Sequence, residues 1–72
     1  MFFYNKKNKE RIPIKYIKKD YDNIFGNGEF IGYKIKFADN YVSKTGISMM
    51  YVNKNSENYN YVDKLYRIFK SK

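Results

Sequence analysis

Apolar side chains occupy every second position in the middle of the chain, at Ile31, Tyr33, Ile35 and Phe37. The residues between them are Gly32, Lys34 and Lys36. Alternation of this kind is typical of a β-strand with one buried face and one exposed face. The pattern therefore predicts a strand over residues 31–37, with both lysines on the exposed face.

A second alternating segment follows after two turn signals. Asp39 and Asn40 predict one turn, residues 41–43 form a short return segment, and Lys44-Thr45-Gly46 predicts another turn. Residues 47–52 then read as a strand, with Ile47, Met49 and Tyr51 on one face.

The first part of the chain is typical of a hairpin. Phe2-Phe3-Tyr4 favours a strand, residues 5–10 are polar, and residues 11–17 resume a strand with Ile12, Ile14 and Tyr16 on one face. Pro13 cannot donate to a ladder, so we expect its strand at an edge of the sheet. A short helical turn over residues 18–25 is expected to follow, before the break at Gly26-Asn27-Gly28.

The same residues also permit a helix over 14–25. Its apolar positions are Ile14, Ile17, Tyr21 and Ile24, at helical spacing. Pro13 would begin this helix and Gly26 would follow its end. The element order would then be helix, three short strands, helix. That order, together with the basic charge, resembles the topology of double-stranded-RNA-binding domains.

The C-terminal segment has the clearest helical pattern, over residues 57–70. Its apolar stripe consists of Tyr59, Val62, Tyr66 and Phe69, and Asp63 and Arg67 form an i,i+4 pair. Ser56 is the expected N-cap, with Glu57 in the first turn and Lys70 near the end. Residues 1–72 are expected to form a single small α+β domain, in which an antiparallel sheet of three to five short strands packs under this helix.

Composition excludes several classes of site. The 72 residues include no Cys and no His, so thiolate or histidine metal sites, disulfides and His-dependent catalytic triads are excluded. No carboxylate cluster has the spacing of a cation-binding loop. We therefore expect a binding protein with no catalytic residue, no metal and no cofactor.

Charge gives the main indication of a partner. Fifteen Lys and Arg against seven Asp and Glu leave a net charge of +8. Residues 1–19 carry seven cations and one anion, 7 − 1 = +6, so the excess is concentrated there. A clustered basic segment attracts anionic partners. AT-rich codons would also produce many Lys, Asn, Tyr, Ile and Phe residues, independently of nucleic acid.

Lysines interleaved with aromatic residues form the candidate binding surface. Its expected members are Lys15, Lys18, Lys19, Phe30, Tyr33, Lys34 and Lys36. Lys34 and Lys36 are expected to share a face with Phe30; the lysines would contact phosphates, and Phe30 or Tyr33 would stack on bases. The expected partner is nucleic acid or a nucleoprotein complex.

The alternative function is stoichiometric inhibition of a host defence or nucleic-acid enzyme by occlusion. The small size and AT-rich bias resemble small phage-encoded accessory proteins, which include anti-restriction and anti-CRISPR inhibitors. An exposed sheet edge could bind that partner or pair two copies of the chain. We expect a location in the cytoplasm, that of the host if a phage encodes the protein, and no membrane partner.

Overall fold

The computed structural model describes residues 1–22 and 28–71. It contains four strands, β1 (Phe2–Asn5), β2 (Glu10–Asp22), β3 (Glu29–Phe37) and β4 (Met49–Asn53), followed by helix α1 (Tyr59–Lys70). The strands form an antiparallel sheet in the order β1-β2-β3-β4. The predicted α+β class, a small antiparallel sheet with a C-terminal amphipathic helix, is confirmed.

The core lies between α1 and one face of the sheet. Val62 is fully buried at the centre of the helix. The sheet contributes the other buried apolar side chains, which are Phe3, Ile12, Ile17, Tyr33, Ile35, Phe37 and Val52. Tyr59, Leu65, Tyr66 and Phe69 of α1 are partly buried against them. Aromatic rings fill much of this interface. Each large ring can bury ~150–250 Å², so a few of them suffice to cover the sheet.

Strand β2 confirms the extended interpretation of residues 11–17 and continues to Asp22. The helix predicted as an alternative is therefore wrong for residues 14–22, as is the helical turn for residues 18–22. Residues 23–27, which include the rest of that turn and most of the glycine break, lie outside the described residues. The helical spacing arose from a β-bulge. Ile14 pairs with Phe37 and Tyr16 with Lys36, so Lys15 is an extra residue. The bulge turns Ile14 and Ile17, three residues apart, towards the same core.

Pro13 does not mark an edge strand, contrary to the sequence prediction. Strand β2 lies between β1 and β3. Pro13 is tolerated because it lies just outside the β2–β3 ladder, whose pairs begin at Ile14 and Phe37. Its carbonyl oxygen still accepts a hydrogen bond from the Ala38 N–H at 2.9 Å. The missing donor therefore costs no ladder hydrogen bond.

Strand β4 begins at Met49 instead of residue 47, and the predicted sharing of one face by Met49 and Tyr51 is confirmed. That face points away from the helix. Val52 is buried and Met50 packs against the core, whereas Tyr51 and Ile47 are exposed. The reason is register. Val52 pairs with Tyr33 and Met50 with Ile35, and both of those β3 residues face the helix. Because directly paired residues lie on the same face, Met49 and Tyr51 must point away from the helix.

Helix α1 begins two residues later than predicted. Asn58 is the N-cap, and it makes no side-chain capping bond. Ser56 instead closes a turn before the helix, where its Oγ accepts a hydrogen bond from the Asn58 N–H at 3.2 Å. Ser56 as N-cap and Glu57 in the first turn are therefore wrong, while Arg67 and Lys70 do lie in the last turn.

The loop after β3 is fixed to the first hairpin by a buried carboxylate. Glu10 is 4% exposed. Its Oε2 accepts hydrogen bonds from the Tyr41 hydroxyl at 2.7 Å and from the Lys44 N–H at 2.9 Å. Because these donors favour the charged form, with the Tyr41 hydroxyl contributing most, they lower the pKa of Glu10 despite its burial.

Candidate nucleic-acid interface

The sheet face that α1 leaves uncovered carries three rows of residues across β2, β3 and β4, and the third row, at the margin, consists of Asp20, Gly32 and Asn53. Direct pairing defines the first row as Tyr16, Lys36 and Met49. It defines the second row as Lys18, Lys34 and Tyr51. These six residues, which we call the open face, alternate along their strands with the core residues Ile17, Ile35, Met50 and Val52.

Positive charge dominates the centre of the open face. Lys18 and Lys34 are direct cross-strand partners, and like charges in that arrangement destabilise a sheet. Among the described residues, no carboxylate lies within ion-pair distance of Lys18, Lys34 or Lys36. Asp20 lies beyond Lys18 at the margin, where it pairs with Gly32. These three lysines therefore form no ion pair within the described part of the chain, and the nearest carboxylate influence on them is that of Asp39, whose pKa the charge of Lys36 lowers.

Aromatic rings lie beside these lysines. The Lys18 Nζ is 4.7 Å from the centre of the Tyr16 ring, and the Lys34 Nζ is 5.9 Å from that of Tyr51. At exposed sites such cation–π contacts contribute about 0.5–1 kcal/mol each. Tyr51 is 62% exposed, so most of its ring remains accessible to solvent. Tyr16 is half-buried beneath Lys18, so the open face combines cations with one mostly accessible ring and one partly accessible ring.

Lys15 is engaged elsewhere. It is the extra residue of the β2 bulge, and its Nζ lies 2.7 Å from Asp39 Oδ2 in an exposed ion pair. This contact raises the pKa of Lys15 and lowers the pKa of Asp39, and the charge of Lys36 lowers the pKa of Asp39 further. Lys15 therefore contributes less net positive charge to the surface than the sequence indicated.

Tyr33 lies on the helix side of the sheet, and the prediction that it stacks on bases is wrong. It is only 4% exposed, and its hydroxyl donates to Asp63 Oδ1 at 2.5 Å. Its ring contacts Tyr59 and Tyr66 of α1, with centroids 5.7 and 4.9 Å away. Burial and the neighbouring Asp63 carboxylate raise the pKa of Tyr33. The residue joins the helix to the sheet.

Phe30 also lies on the helix side, so it does not share a face with Lys34 and Lys36 as predicted. Its ring packs edge-on against Tyr33 at 5.4 Å. The cause is a second irregularity. Asp20 pairs with Gly32 and Tyr21 with Phe30, so Ile31 is an extra residue that reverses the facing of Phe30.

Lys19 accompanies Phe30 at this end of the sheet. Its Nζ lies 5.9 Å from the Phe30 ring centre and 5.8 Å from that of Tyr66. Lys54, which follows β4, approaches Phe30 from another strand at 5.3 Å. Lys19, Lys54, Phe30 and Tyr66 form what we call the end cluster. The structure thus divides the predicted surface, with Lys18, Lys34 and Lys36 on the open face and Lys19 and Phe30 in the end cluster.

Sequence analysis missed the aromatic members of the open face. Tyr16 was assigned to the face of Ile12 and Ile14, because a bulge at Lys15 has no clear sequence signature. Tyr51 was correctly grouped with Met49, but the pattern did not indicate which face of this strand is buried, and the buried Val52 beside Tyr51 is the better guide. Lys54 was missed because its place depends on the pairing of β4 with β3, where its N–H donates to the Ile31 carbonyl at 3.0 Å.

A cleft of about 330 Å³ is bounded by β1, by Met50 of β4 and by the segment preceding α1. Phe3, Tyr4 and Met50 line it together with polar residues, which are Asn5, Lys6, Lys7, Glu57 and Asn58. The lining mixes both charge signs and includes no convergent group of one chemistry. The cleft therefore does not indicate a particular ligand.

No helix in the described part of the chain is long and apolar enough to cross a membrane. Residues 1–22 and 28–71 also contain no group of three or more His, Cys, Asp or Glu side chains that could hold a metal ion. Comparison of the chain with protein-family models, curated proteins and solved structures finds no match.

Proposed function

We propose that the protein is a non-catalytic nucleic-acid-binding protein and that the open face is its binding surface. The observation that carries the proposal is the direct pairing of Lys18 with Lys34, beside Lys36, without a carboxylate at ion-pair distance among the described residues. Folding places these like charges together at an energetic cost. A polyanion would remove that cost by neutralising them.

The arrangement of the lysines suits a phosphate backbone. Lys34 and Lys36 are two residues apart on β3 and therefore about 7 Å apart along the strand. Lys18 lies on the neighbouring strand, about 5 Å across. Three cations are thus spread over a small area, where they can neutralise successive phosphates and release their counterions.

Codon bias is the competing explanation for these lysines. A bias towards Lys adds cations wherever the fold is exposed, as in the hairpin loop with Lys6, Lys7 and Lys9. Those three lysines supply a matched set for comparison, since all are exposed and lie outside the open face. A binding role predicts that position matters as well as the number of charges.

The test compares two triple variants that remove the same charge. In one, Lys18, Lys34 and Lys36 are changed to Gln; in the other, Lys6, Lys7 and Lys9 are changed to Gln. Binding of a labelled oligonucleotide is measured by fluorescence anisotropy over a range of salt. We expect the open-face variant to lose most of its affinity, and the slope of log K against log salt to fall by about 2, because each phosphate contact contributes ~0.7–0.9.

The hairpin variant should retain most of the wild-type affinity and slope. Equal losses in the two variants would show that net charge alone governs binding, and the open face would then have no special role. Failure of the wild-type protein to bind any oligonucleotide at low salt would contradict the proposed function.

The free edge of β4 favours a second candidate, stoichiometric inhibition of a defence or nucleic-acid enzyme. Within the described residues no strand lies beyond β4, whereas the N–H of Tyr4 on the other edge strand already donates to Tyr61 Oη at 3.0 Å. A free edge can pair with a strand of a partner or of a second copy. Affinity purification from a host lysate, with and without nuclease, distinguishes inhibition of a protein partner from nucleic-acid binding. A protein partner that is retained after nuclease treatment supports inhibition.

A further inference from the structure

We infer that the nucleic acid bound by the open face is single-stranded, and that its bases stack on Tyr16 and Tyr51. This inference rests on the proposed function and specifies its ligand. It comes from the aromatic members of the open face, whereas the proposed function was argued from the lysines.

The first observation is the exposure of Tyr51. Its ring is 62% exposed on a face that no helix covers, although Val52 beside it is fully inside the core. An exposed aromatic ring beside a cation, here Lys34, offers a π-face to a base, and stacking of this kind tolerates any base sequence. In a duplex the faces of the bases are already stacked on one another. The ring can therefore act only on unpaired bases.

The second observation is where the two tyrosines lie. Tyr16 and Tyr51 occupy opposite corners of the two rows, two strands apart and one row apart. Strand spacing and rise place their Cα atoms about 12 Å apart. Lys34 and Lys36 lie between them on β3. A single strand crossing this diagonal would place bases on the two rings and phosphates beside the lysines.

The third observation is the breadth of the surface. The open face spans three strands, with β3 flanked on both sides. The major groove of a duplex admits a helix or a two-stranded ribbon, so the central lysines of a broader sheet cannot reach base edges there. A duplex could meet this face only through its outer phosphates, and such contacts would leave both tyrosine rings without a role.

The experiment compares one oligonucleotide as a single strand and as a duplex with its complement. Competition anisotropy at fixed low salt gives both affinities for the wild type and for Tyr16→Leu, Tyr51→Leu and Tyr51→Phe. Tyr21→Leu is the matched control, since Tyr21 is 43% exposed and lies outside both rows. Circular dichroism confirms that each variant folds.

We expect the single strand to bind at least about tenfold more tightly than the duplex, since two stacked bases each contribute to binding. Tyr16→Leu and Tyr51→Leu should each weaken single-strand binding by about fivefold or more and leave duplex binding unchanged. Tyr51→Phe, which keeps a ring, should bind like the wild type, and so should Tyr21→Leu.

Duplex affinity equal to or above single-strand affinity would overturn the inference, as would unchanged binding in both open-face leucine variants. If the lysine variants still lost affinity in that case, the proposed function would stand without this ligand. If the wild type binds neither the single strand nor the duplex, both the proposed function and this inference are contradicted. Should a leucine variant fail to fold, the ring proton signals of Tyr16 and Tyr51 in the wild type give the answer by NMR, because signals unmoved by saturating single strand would overturn the inference.

Discussion

At the scale of single residues, Gly32 has the most restrictive position. A Cβ built there would lie 2.1 Å from the Val52 carbonyl oxygen and 2.6 Å from the Asn53 Cα. Both are backbone atoms of β4, so no side-chain rotation can relieve the overlap. The absence of a side chain at Gly32 is what allows β4 to approach β3 at this point.

Gly32→Ala is therefore expected to destabilise the fold by about 2 kcal/mol or more, because overlap with backbone forces the strands apart. Gly46→Ala is the control. Gly46 also has a positive φ, of 75°, but an added Cβ would meet nothing within 4 Å. That variant should cost only the backbone strain, about 1–2 kcal/mol. Urea unfolding measures both, and equal losses would contradict the role assigned to the β3–β4 contact.

Glu10 makes the free energy of unfolding depend on pH. Its folded-state pKa is lowered, so its contribution is present above the ordinary value of 4.5 and is lost as pH falls through the folded-state pKa. We expect Glu10→Gln to be less stable than the wild type at neutral pH and to lose less stability between neutral and acidic pH. Glu57→Gln, at an exposed carboxylate, is the control.

Thermal unfolding over that pH range provides the measurement. Tyr41 donates to the same carboxylate, which raises the pKa of Tyr41, so the contribution of this contact is present below the ordinary value of 10 and is lost as pH rises through the raised pKa. If the unfolding temperatures of the wild type and Glu10→Gln fall in parallel as pH decreases, Glu10 is not the source of the acid dependence of stability.

At the scale of elements, one hydrogen bond links α1 to the centre of the sheet. The Tyr33 hydroxyl donates to Asp63 Oδ1, and the other carboxylate oxygen of Asp63 forms an ion pair with Arg67 Nε at 3.2 Å. Tyr33 is buried in the middle of β3, while Asp63 and Arg67 lie one turn apart on the helix. The helix is thereby fixed in rotation as well as in position.

Removing the Tyr33 hydroxyl tests this link. Tyr33→Phe keeps the ring contacts and is expected to lower the free energy of unfolding by about 1.5–3 kcal/mol, the range for a hydrogen bond to a charged group. Tyr51→Phe removes a hydroxyl from an exposed ring and should change stability little. Chemical denaturation compares the two variants, and equal stability would show that Asp63 gains nothing from Tyr33.

The sequence predicted elements well where their pattern is uninterrupted. Strand β3 and helix α1 each have one continuous period, and both are present close to the predicted bounds. Errors arose at irregularities of the sheet. The extra residue Lys15 made β2 resemble a helix, and the extra residue Ile31 moved Phe30 to the helix side. A bulge depends on pairing between strands, which a local pattern does not contain.

At the scale of the whole molecule, the distribution of positive charge over the folded surface differs from its distribution along the sequence. The first 19 residues hold most of the excess, but the fold disperses them. Lys6, Lys7 and Lys9 lie in the first hairpin loop, Lys15 pairs with Asp39, and only Lys18 reaches the open face. The other two lysines of that face come from β3. Three of the seven predicted site residues therefore share the open face, and register brought them together.

The strand order also bears on how the protein is made. Each strand pairs with the strand next to it in the chain, so the three hairpins can close in succession. Helix α1 is synthesised after all four strands. Until it leaves the ribosome, Ile12, Ile35 and Phe37 have no cover, and the nascent sheet is exposed to self-association. Packing of Val62 against these side chains ends that interval, so docking of α1 protects the sheet from aggregation as well as stabilising it.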